Sequence, residues 1–308
     1  MKGPLFYSKI LLFGEYGIIK DSKGLSIPYN FFKGALKTDE NSSKEAIESN
    51  KSLRKFSEYL SEIEGQVKFN IVAFKKDVEK GMYFDSSIPQ GYGVGSSGAL
   101  VAAIYDNYAF DKITVLENLT REKLIELKAI FSKMESFFHG KSSGLDPLNS
   151  YLSLPILINS KDNIESTSLP AQNNSGKGAV FLLDSGITGE TAPMVQIFME
   201  QMKEEGFRNM LKNKFIKHTD ACIEHFLNGD VKSLFGHVKQ LSNVVLDNFK
   251  PMIPIEFHKL WKKGIETNDY YLKLCGSGGG GYILGFTEDI ERAKASLQDH
   301  KLEVVYNF

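Results

Sequence analysis

One loop, in which glycine alternates with other residues and then runs straight into an apolar helix, constrains this chain more than any other feature. It reads Pro89-Gln90-Gly91-Tyr92-Gly93-Val94-Gly95-Ser96-Ser97-Gly98-Ala99. Glycines let a backbone approach an anion closely. The free N–H groups of a first helical turn, at the positive end of the helix dipole, point at such an anion. Ser96 and Ser97 add hydroxyl donors or a magnesium ligand at the turn. The residues from Ala99 to Phe110 are rich in Ala, Leu, Val and Ile and predict a buried helix that holds the loop in place.

Several known loops compete for these letters. The Walker A pattern needs a lysine and a hydroxyl after its last glycine, which neither this loop nor Gly176-Lys177 supplies. Gly93, Gly95 and Gly98 fit the dinucleotide fingerprint as letters, but that motif follows a clean hydrophobic strand and has an acid about 20 residues on. Here Ser86-Ser87-Ile88-Pro89 precedes the loop, and Glu117 lies in a helical pattern. A flexible Gly-Ser linker without a ligand is the plain alternative.

Composition narrows the function classes. The chain has 308 residues, 42% of them hydrophobic, enough to bury one large core or two moderate ones, so two domains are expected. A net charge of −1 argues against a nucleic-acid binder or a membrane-surface protein. The apolar run Ile10-Leu11-Leu12-Phe13 ends at Gly14-Glu15, too short for a signal peptide or a membrane span. Cys222 and Cys275, far apart, imply neither a disulfide framework nor a zinc site, and a cytoplasmic setting is expected.

Hydrophobic periodicity predicts strands at Tyr7–Phe13, at Val67–Phe74, around Met82–Phe84, at Ala179–Leu183, at Tyr271–Cys275 and Tyr282–Phe286, and at Leu302–Tyr306. Leu53, Phe56, Leu60 and Ile63 recur at helical spacing behind a polar stretch that starts at Thr38, and Glu117–Phe138 reads as a long amphipathic helix. Several helices are expected between Ala192 and Thr267, and Pro170–Lys177 is the best linker.

A second constellation closes the long helix: Glu135-Ser136-Phe137-Phe138-His139-Gly140-Lys141-Ser142-Ser143-Gly144-Leu145-Asp146. A helix ending at His139-Gly140 and a turn through Ser143-Gly144 bring Asp146 back toward Glu135. Two carboxylates facing one phosphate loop suit phosphoryl transfer, which needs a metal on the nucleotide oxygens and a group that orients the attacking hydroxyl. Acids at helix ends also commonly cap backbone, and that reading stays open here. Gly140-Lys141-Ser142-Ser143-Gly144 spells the nucleophile elbow of serine hydrolases, with Asp184 and His218 following in usable order. The elbow, however, requires a strand before its serine, and a helix is expected there.

The glycine loop resembles the second motif of the GHMP small-molecule kinases, Pro-x-Gly-x-Gly-x-Gly-Ser-Ser-Ala, with Gly98 in place of the alanine. Lys9-Ile10-Leu11-Leu12-Phe13-Gly14-Glu15-Tyr16 and Lys273-Leu274-Cys275-Gly276-Ser277-Gly278-Gly279-Gly280-Gly281 resemble the family's first and third motifs, in the right order. Within the family, His139-Gly140-x-x-Ser143-Gly144-x-Asp146, followed by Ser150, is most similar to the mevalonate kinase form. Ser142 stands for a proline there, Tyr16 for a histidine, Cys275 for a threonine and Ser277 for an alanine.

This resemblance implies an α+β, two-domain fold. Residues 1–176 would form an N-terminal domain like ribosomal protein S5 domain 2, with a left-handed crossover against the usual hand, and residues 177–308 a ferredoxin-like C-terminal domain. It implies ATP- and Mg2+-dependent phosphorylation of a small-molecule hydroxyl, mevalonate to 5-phosphomevalonate in isoprenoid biosynthesis. Phosphomevalonate kinase or a sugar kinase is the alternative within the family, and a non-catalytic nucleotide-binding relative the alternative outside enzymes.

Position by position, the resemblance makes Asp146 the group that accepts or orients the hydroxyl proton, with Lys9 beside it. Ser97 and Glu135 become the magnesium ligands. Gly91, Gly93, Gly95, Ser96, Ser97 and Gly98 become the phosphate cradle, Gly278 and Gly279 close on the nucleotide side, and Glu15 and Tyr16 lie by the acceptor. His139 receives no catalytic role. The expected partners are ATP and the acceptor, without nucleic acid or membrane, in a monomer or homodimer.

Overall fold

The computed structural model describes residues 4–38, 43–63, 68–114 and 119–308. The chain forms two compact units interleaved along the sequence. The first takes the N-terminal stretch to Lys9, Pro28–Pro89 and Gly95–Leu154, and the second takes Ile10–Ile27, Gln90–Val94 and Pro155–Phe308. Strands β1 (Phe6–Phe13) and β2 (Gly24–Thr38) therefore contribute to both. The division into 1–176 and 177–308 concerns sequence segments, and we retain it as a proposal.

The first unit is built mostly from helices. Helix α1 (Lys44–Glu62) starts where the Ser43 hydroxyl accepts from the Ala46 N–H, and it buries Leu53, Phe56 and Leu60 on one face. Helix α2 (Ile71–Glu79) replaces the strand expected over Val67–Phe74, of which Val67 lies outside the described residues. Asn70 Oδ1 accepts from the Ala73 N–H and nucleates this helix, and Ile71, Phe74 and Val78 then fall on its buried face while Val72 is left exposed. A polar cap thus outweighs a short β-branched run. Strand β3 (Met82–Ser86) pairs antiparallel with the far end of β2, Gly34 facing Ser86 and Thr38 facing Met82.

Helix α3 (Ser96–Tyr108) follows the glycine loop, with Val101, Ala102, Ala103 and Ile104 wholly buried. Helix α4 (Arg121–His139) is capped by Thr120 and buries Leu124, Leu127, Phe131 and Met134; Glu117, where this helix was expected to begin, lies outside the described residues. Gly140, at φ 71, ends α4, and α5 (Leu145–Leu152) returns along α3. The return is very close. A Cβ on Gly98 would lie 2.7 Å from the Asp146 carbonyl carbon and 2.8 Å from the Pro147 nitrogen, so only glycine lets the two helices meet here.

In the second unit the near end of β2 pairs with β4 (Ile156–Ser160), and β4 pairs with β5 (Asn163–Ser166). A second sheet follows the segment from Pro170 to Lys177. Its elements are β6 (Ala179–Asp184), helices α6 (Thr191–Gln201), α7 (Glu205–Met210), α8 (Lys217–Leu227), α9 (Val231–Asn248) and α10 (Phe257–Thr267), then β7 (Tyr271–Leu274), β8 (Tyr282–Thr287), α11 (Ile290–Ser296) and β9 (Leu302–Asn307). The strand order is β7-β8-β6-β9, all neighbours antiparallel. Counted within this sheet the order is second, third, first, fourth, with helices in the first and last connections, which is the ferredoxin-like arrangement. Phe181, Phe198, Phe226, Trp261 and Phe286 are almost entirely buried in this unit. Both cysteines are buried and neither is in a disulfide, and no helix among the described residues is long and apolar enough to cross a membrane.

The close approach at Gly98 sets a first expectation. Gly98→Ala, although it restores the residue usual in the resembling motif, should lower unfolding stability by about 1–3 kcal/mol, because the added methyl forces α3 and α5 apart. A urea midpoint equal to that of the wild type would show that the helices can yield without strain.

Candidate active site

The first unit gathers four of the expected polar residues at the start of α3. Lys9, near the middle of β1, is only 4% exposed, and its Nζ lies 2.8 Å from Asp146 Oδ1 in the first turn of α5. The lysine stem runs past Gly95, where a Cβ would come within 3.0 Å of Lys9 Cγ. Gly95 itself sits at φ 82 as the N-cap of α3, and no side chain caps that helix. The amides of its first turn thus meet no side-chain acceptor and are suited to an anion.

Across from Lys9 stands Glu135, on α4 and 3% exposed. Ser97 Oγ donates to Glu135 Oε1 at 3.0 Å, and Ser142 Oγ donates to Glu135 Oε2. His139 Nε2 is 3.0 Å from Ser97 Oγ. Since the single hydroxyl proton of Ser97 goes to Glu135, His139 Nε2 must be the donor in that contact. Burial raises the Glu135 carboxyl to about 7, and the neighbouring Asp146 charge adds to the rise. The hydrogen bonds from Ser142 and Ser97, and the Lys9 charge, work against it.

This donor set fits magnesium. Ser97 and Glu135 offer hard oxygen ligands, and magnesium is usually held by one or two protein oxygens with phosphate oxygens and water completing its shell. Among the described residues there is no cluster of three or more His, Cys, Asp or Glu side chains able to hold a metal alone, so phosphate oxygens would have to supply the remainder.

Gly95, Ser96 and Gly98 also lie in the first unit, whereas Glu15, Tyr16, Gly91, Gly93, Gly278 and Gly279 fall in the second. Glu15 forms an ion pair with Lys273 in which both side chains are 4% exposed. The Tyr16 hydroxyl donates to the Ser277 carbonyl at 2.6 Å, and burial pushes its pKa up, with the Glu15 charge adding. Gly91 accepts from the Gly189 N–H, while Gly93 packs against the Cys275 carbonyl. The Gly279 N–H donates to the Met252 carbonyl at 2.6 Å, and Gly278 packs on that same carbonyl, so these backbone groups are tied to protein.

Two residues of the cluster, His139 and Ser142, received no role in this site from the sequence. His139 lies four residues after Glu135 on the same helix face, a spacing that could have found it. Ser142 could not be found that way, because its contact depends on the turn, where its hydroxyl both donates to Glu135 and accepts from the Gly144 N–H. The Gly140–Gly144 segment lies between two helices, so the strand that a hydrolase elbow requires does not precede Ser142.

Residues 52–153 match the family model described as GHMP kinases N terminal domain. That stretch is similar to the N-terminal domain of the GHMP kinases. Solved structures extend the likeness of fold over nearly the whole length. L. major mevalonate kinase, in complex with R-mevalonate, has a TM-score of 0.61 at 17% identity, with 97% of this chain and 93% of that one covered. Streptococcus pneumoniae phosphomevalonate kinase, with phosphomevalonate and AMPPNP, has a TM-score of 0.65 at 13% identity, covering 99% and 100%. Lactococcus lactis galactokinase, complexed with galactose, has a TM-score of 0.61 at 12% identity, covering 98% and 93%. A comparison with curated proteins returns no match. At these identities the likeness is one of fold, and it is shared alike with a mevalonate kinase, a phosphomevalonate kinase and a galactokinase.

The raised Glu135 carboxyl has a measurable consequence. A carboxyl with a higher pKa folded than unfolded binds more protons in the folded state, so it costs stability as pH climbs from the ordinary carboxylate range through about 7. Glu135→Gln should therefore stabilise the ligand-free protein relative to wild type at pH 8 and give little or no gain at pH 5. Thermal unfolding of both proteins at the two pH values measures this, and a gain independent of pH would contradict it.

Proposed function

We propose that this protein is an ATP- and magnesium-dependent kinase that phosphorylates the hydroxyl of a small metabolite, with mevalonate as the acceptor. The observation that carries the kinase reading is the Lys9–Asp146 pair placed in one unit with Ser97 and Glu135 at the uncapped start of α3. The mevalonate reading is supported by the resemblance of the His139–Asp146 segment to the mevalonate kinase form.

In this mechanism the acceptor hydroxyl lies against the Asp146 carboxylate, whose side chain is 38% exposed and so open to a ligand. Lys9 holds Asp146 in place, and its charge stabilises the negative charge that develops on the acceptor oxygen. Asp146 orients the hydroxyl and takes its proton as the oxygen attacks the γ-phosphorus in line, and the bond from that phosphorus to the β-phosphate oxygen breaks to release ADP. Ser96, Ser97 and Gly98 present first-turn amides to the phosphates, with the glycines before them allowing close approach. Ser97 and Glu135 would hold magnesium, which when bound neutralises charge on the β- and γ-phosphate oxygens. His139, donating to Ser97 Oγ, orients a lone pair of that oxygen away from Glu135.

The test is ADP release measured against mevalonate, phosphomevalonate, homoserine and galactose. Preference for mevalonate by tenfold or more is expected, and no turnover of mevalonate would reject the acceptor. Asp146→Asn should lower kcat by about a hundredfold or more with little change in nucleotide affinity, since loss of a positioned acid–base group typically costs that much. A variant retaining more than about a tenth of wild-type turnover would remove Asp146 from that role.

Ser97→Ala and Glu135→Gln should each raise the magnesium concentration needed for half-maximal activity. Combined, they should cost less than the product of the single effects, because both act on one ion. Fully multiplicative losses with an unchanged magnesium requirement would place at least one of them outside the metal shell.

A further inference from the structure

The two residues expected beside the acceptor, Glu15 and Tyr16, have their polar groups turned into the third glycine motif. Tyr16 is 5% exposed and adopts φ 60, ψ −39, a sparsely populated backbone for a residue with a side chain, which persists only where its surroundings hold it. Its ring packs against both Phe198, at 4.7 Å between centroids, and Phe249, at 5.7 Å. Its hydroxyl reaches the Ser277 carbonyl at 2.6 Å. One residue earlier, Glu15 pairs with Lys273, whose Nζ also donates to the Leu274 carbonyl at 2.8 Å. Two adjacent residues of the first motif thus grip the third motif at both ends of the turn leaving β7.

The third motif in turn holds residues 90–94 of the phosphate loop. The Tyr282 N–H donates to the Tyr92 carbonyl, and the two tyrosine rings meet at 5.0 Å. A Cβ on Gly93 would sit 2.5 Å from the Cys275 carbonyl oxygen, so the two backbones touch. The Gly281 N–H donates to the Ile187 carbonyl, and Gly189, two residues on, donates to Gly91. Residue 94 is followed directly by Gly95 and α3.

We propose that Tyr16 is a positioning residue for the nucleotide: its hydroxyl latches the third glycine motif, which sets residues 90–94 of the phosphate loop, and it makes no contact with the acceptor. A phenol carries its single polar atom at the tip, farther out than the nitrogens of the histidine usual in the resembling motif, and the latch uses that reach. The proposal rests on the kinase reading above for its catalytic readout and on this unit's own hydrogen bonds for the rest.

The test compares wild type with Tyr16→Phe, which deletes only the hydroxyl. Removing one such bond should raise KM for ATP about fivefold, leaving KM for the acceptor and kcat within about twofold. Amide hydrogen exchange should quicken at Gly279, Gly281 and Tyr282 and in residues 90–94, and stay unchanged in α4. If Tyr16→Phe does not fold, Tyr16→His keeps a ring without the reach, and the same pattern is expected of it. A raised KM for the acceptor with an unchanged KM for ATP overturns the proposal, as does unchanged exchange in the third motif. A fall in melting temperature with neither KM moved also overturns it, since a merely structural tyrosine would behave that way. Should the wild type bind no nucleotide, as measured with AMPPNP, the kinase reading fails, and the exchange pattern alone then decides the latch.

Discussion

A lysine ammonium with only 4% of its side chain exposed must have its charge met inside the protein. The effective penalty for taking an ion out of water is several kcal/mol even after relaxation, and removing one partner of a buried pair typically costs about 3–5 kcal/mol. The first unit is arranged around that requirement. Lys9 is answered by Asp146, so the first turn of α5 must reach β1. For Asp146 to be there its own backbone must lie against α3, and Gly98 leaves the room. With α3 placed, Ser97 comes to Glu135 on α4. One buried charge thus runs through a glycine and two short helices to set the geometry of a site.

Much of this fold was legible in the sequence where pattern and local chemistry agreed. Leu53, Phe56 and Leu60 mark α1, and the alternating and continuous apolar runs mark β1, β6, β8 and β9. The pattern failed over Ile71–Phe74, where β-branched residues suggest a strand but the Asn70 cap and a buried face of Ile71, Phe74 and Val78 select a helix. It also failed to mark β2, whose 15 residues are broken by Gly24, Pro28 and Gly34. These residues normally punctuate strands. Gly34 is tolerated because the Phe84 ring on β3 fills the space its side chain would occupy, a reason visible only once the pairing is known.

The site divides in the same way. Lys9, Ser97, Glu135 and Asp146 are spread over three motifs, and in the sequence only motif order and resemblance connect them; the fold places all four in one unit. Ser142 was opaque because it stands where the resembling motif has a proline and acts through a hydroxyl that no spacing rule reports. Tyr16 was legible as a departure from histidine, yet where its hydroxyl goes depends on Ser277, 261 residues away. Long-range polar contacts of this kind leave no periodic signal.

Lys9 faces two carboxylates, Asp146 and Glu135, and the one nearer the interior is the one whose ionisation burial resists. The two serine hydroxyls soften that resistance without removing it. A carboxylate kept in such a place costs stability in the bare protein, and sequences optimised for stability alone tend to lose groups of this kind. On the kinase reading the cost has a use. An ionised Glu135 that is poorly satisfied by protein is a strong ligand for a divalent cation arriving with a nucleotide, whereas a carboxylate already paired with a lysine, as Asp146 is, would bind that cation less well and remains free to serve the acceptor. The asymmetry between the two acids, one paired and half-exposed, the other buried and hydrogen-bonded to two hydroxyls, therefore suits them to different tasks, and burial together with the reach of Lys9 is what creates it.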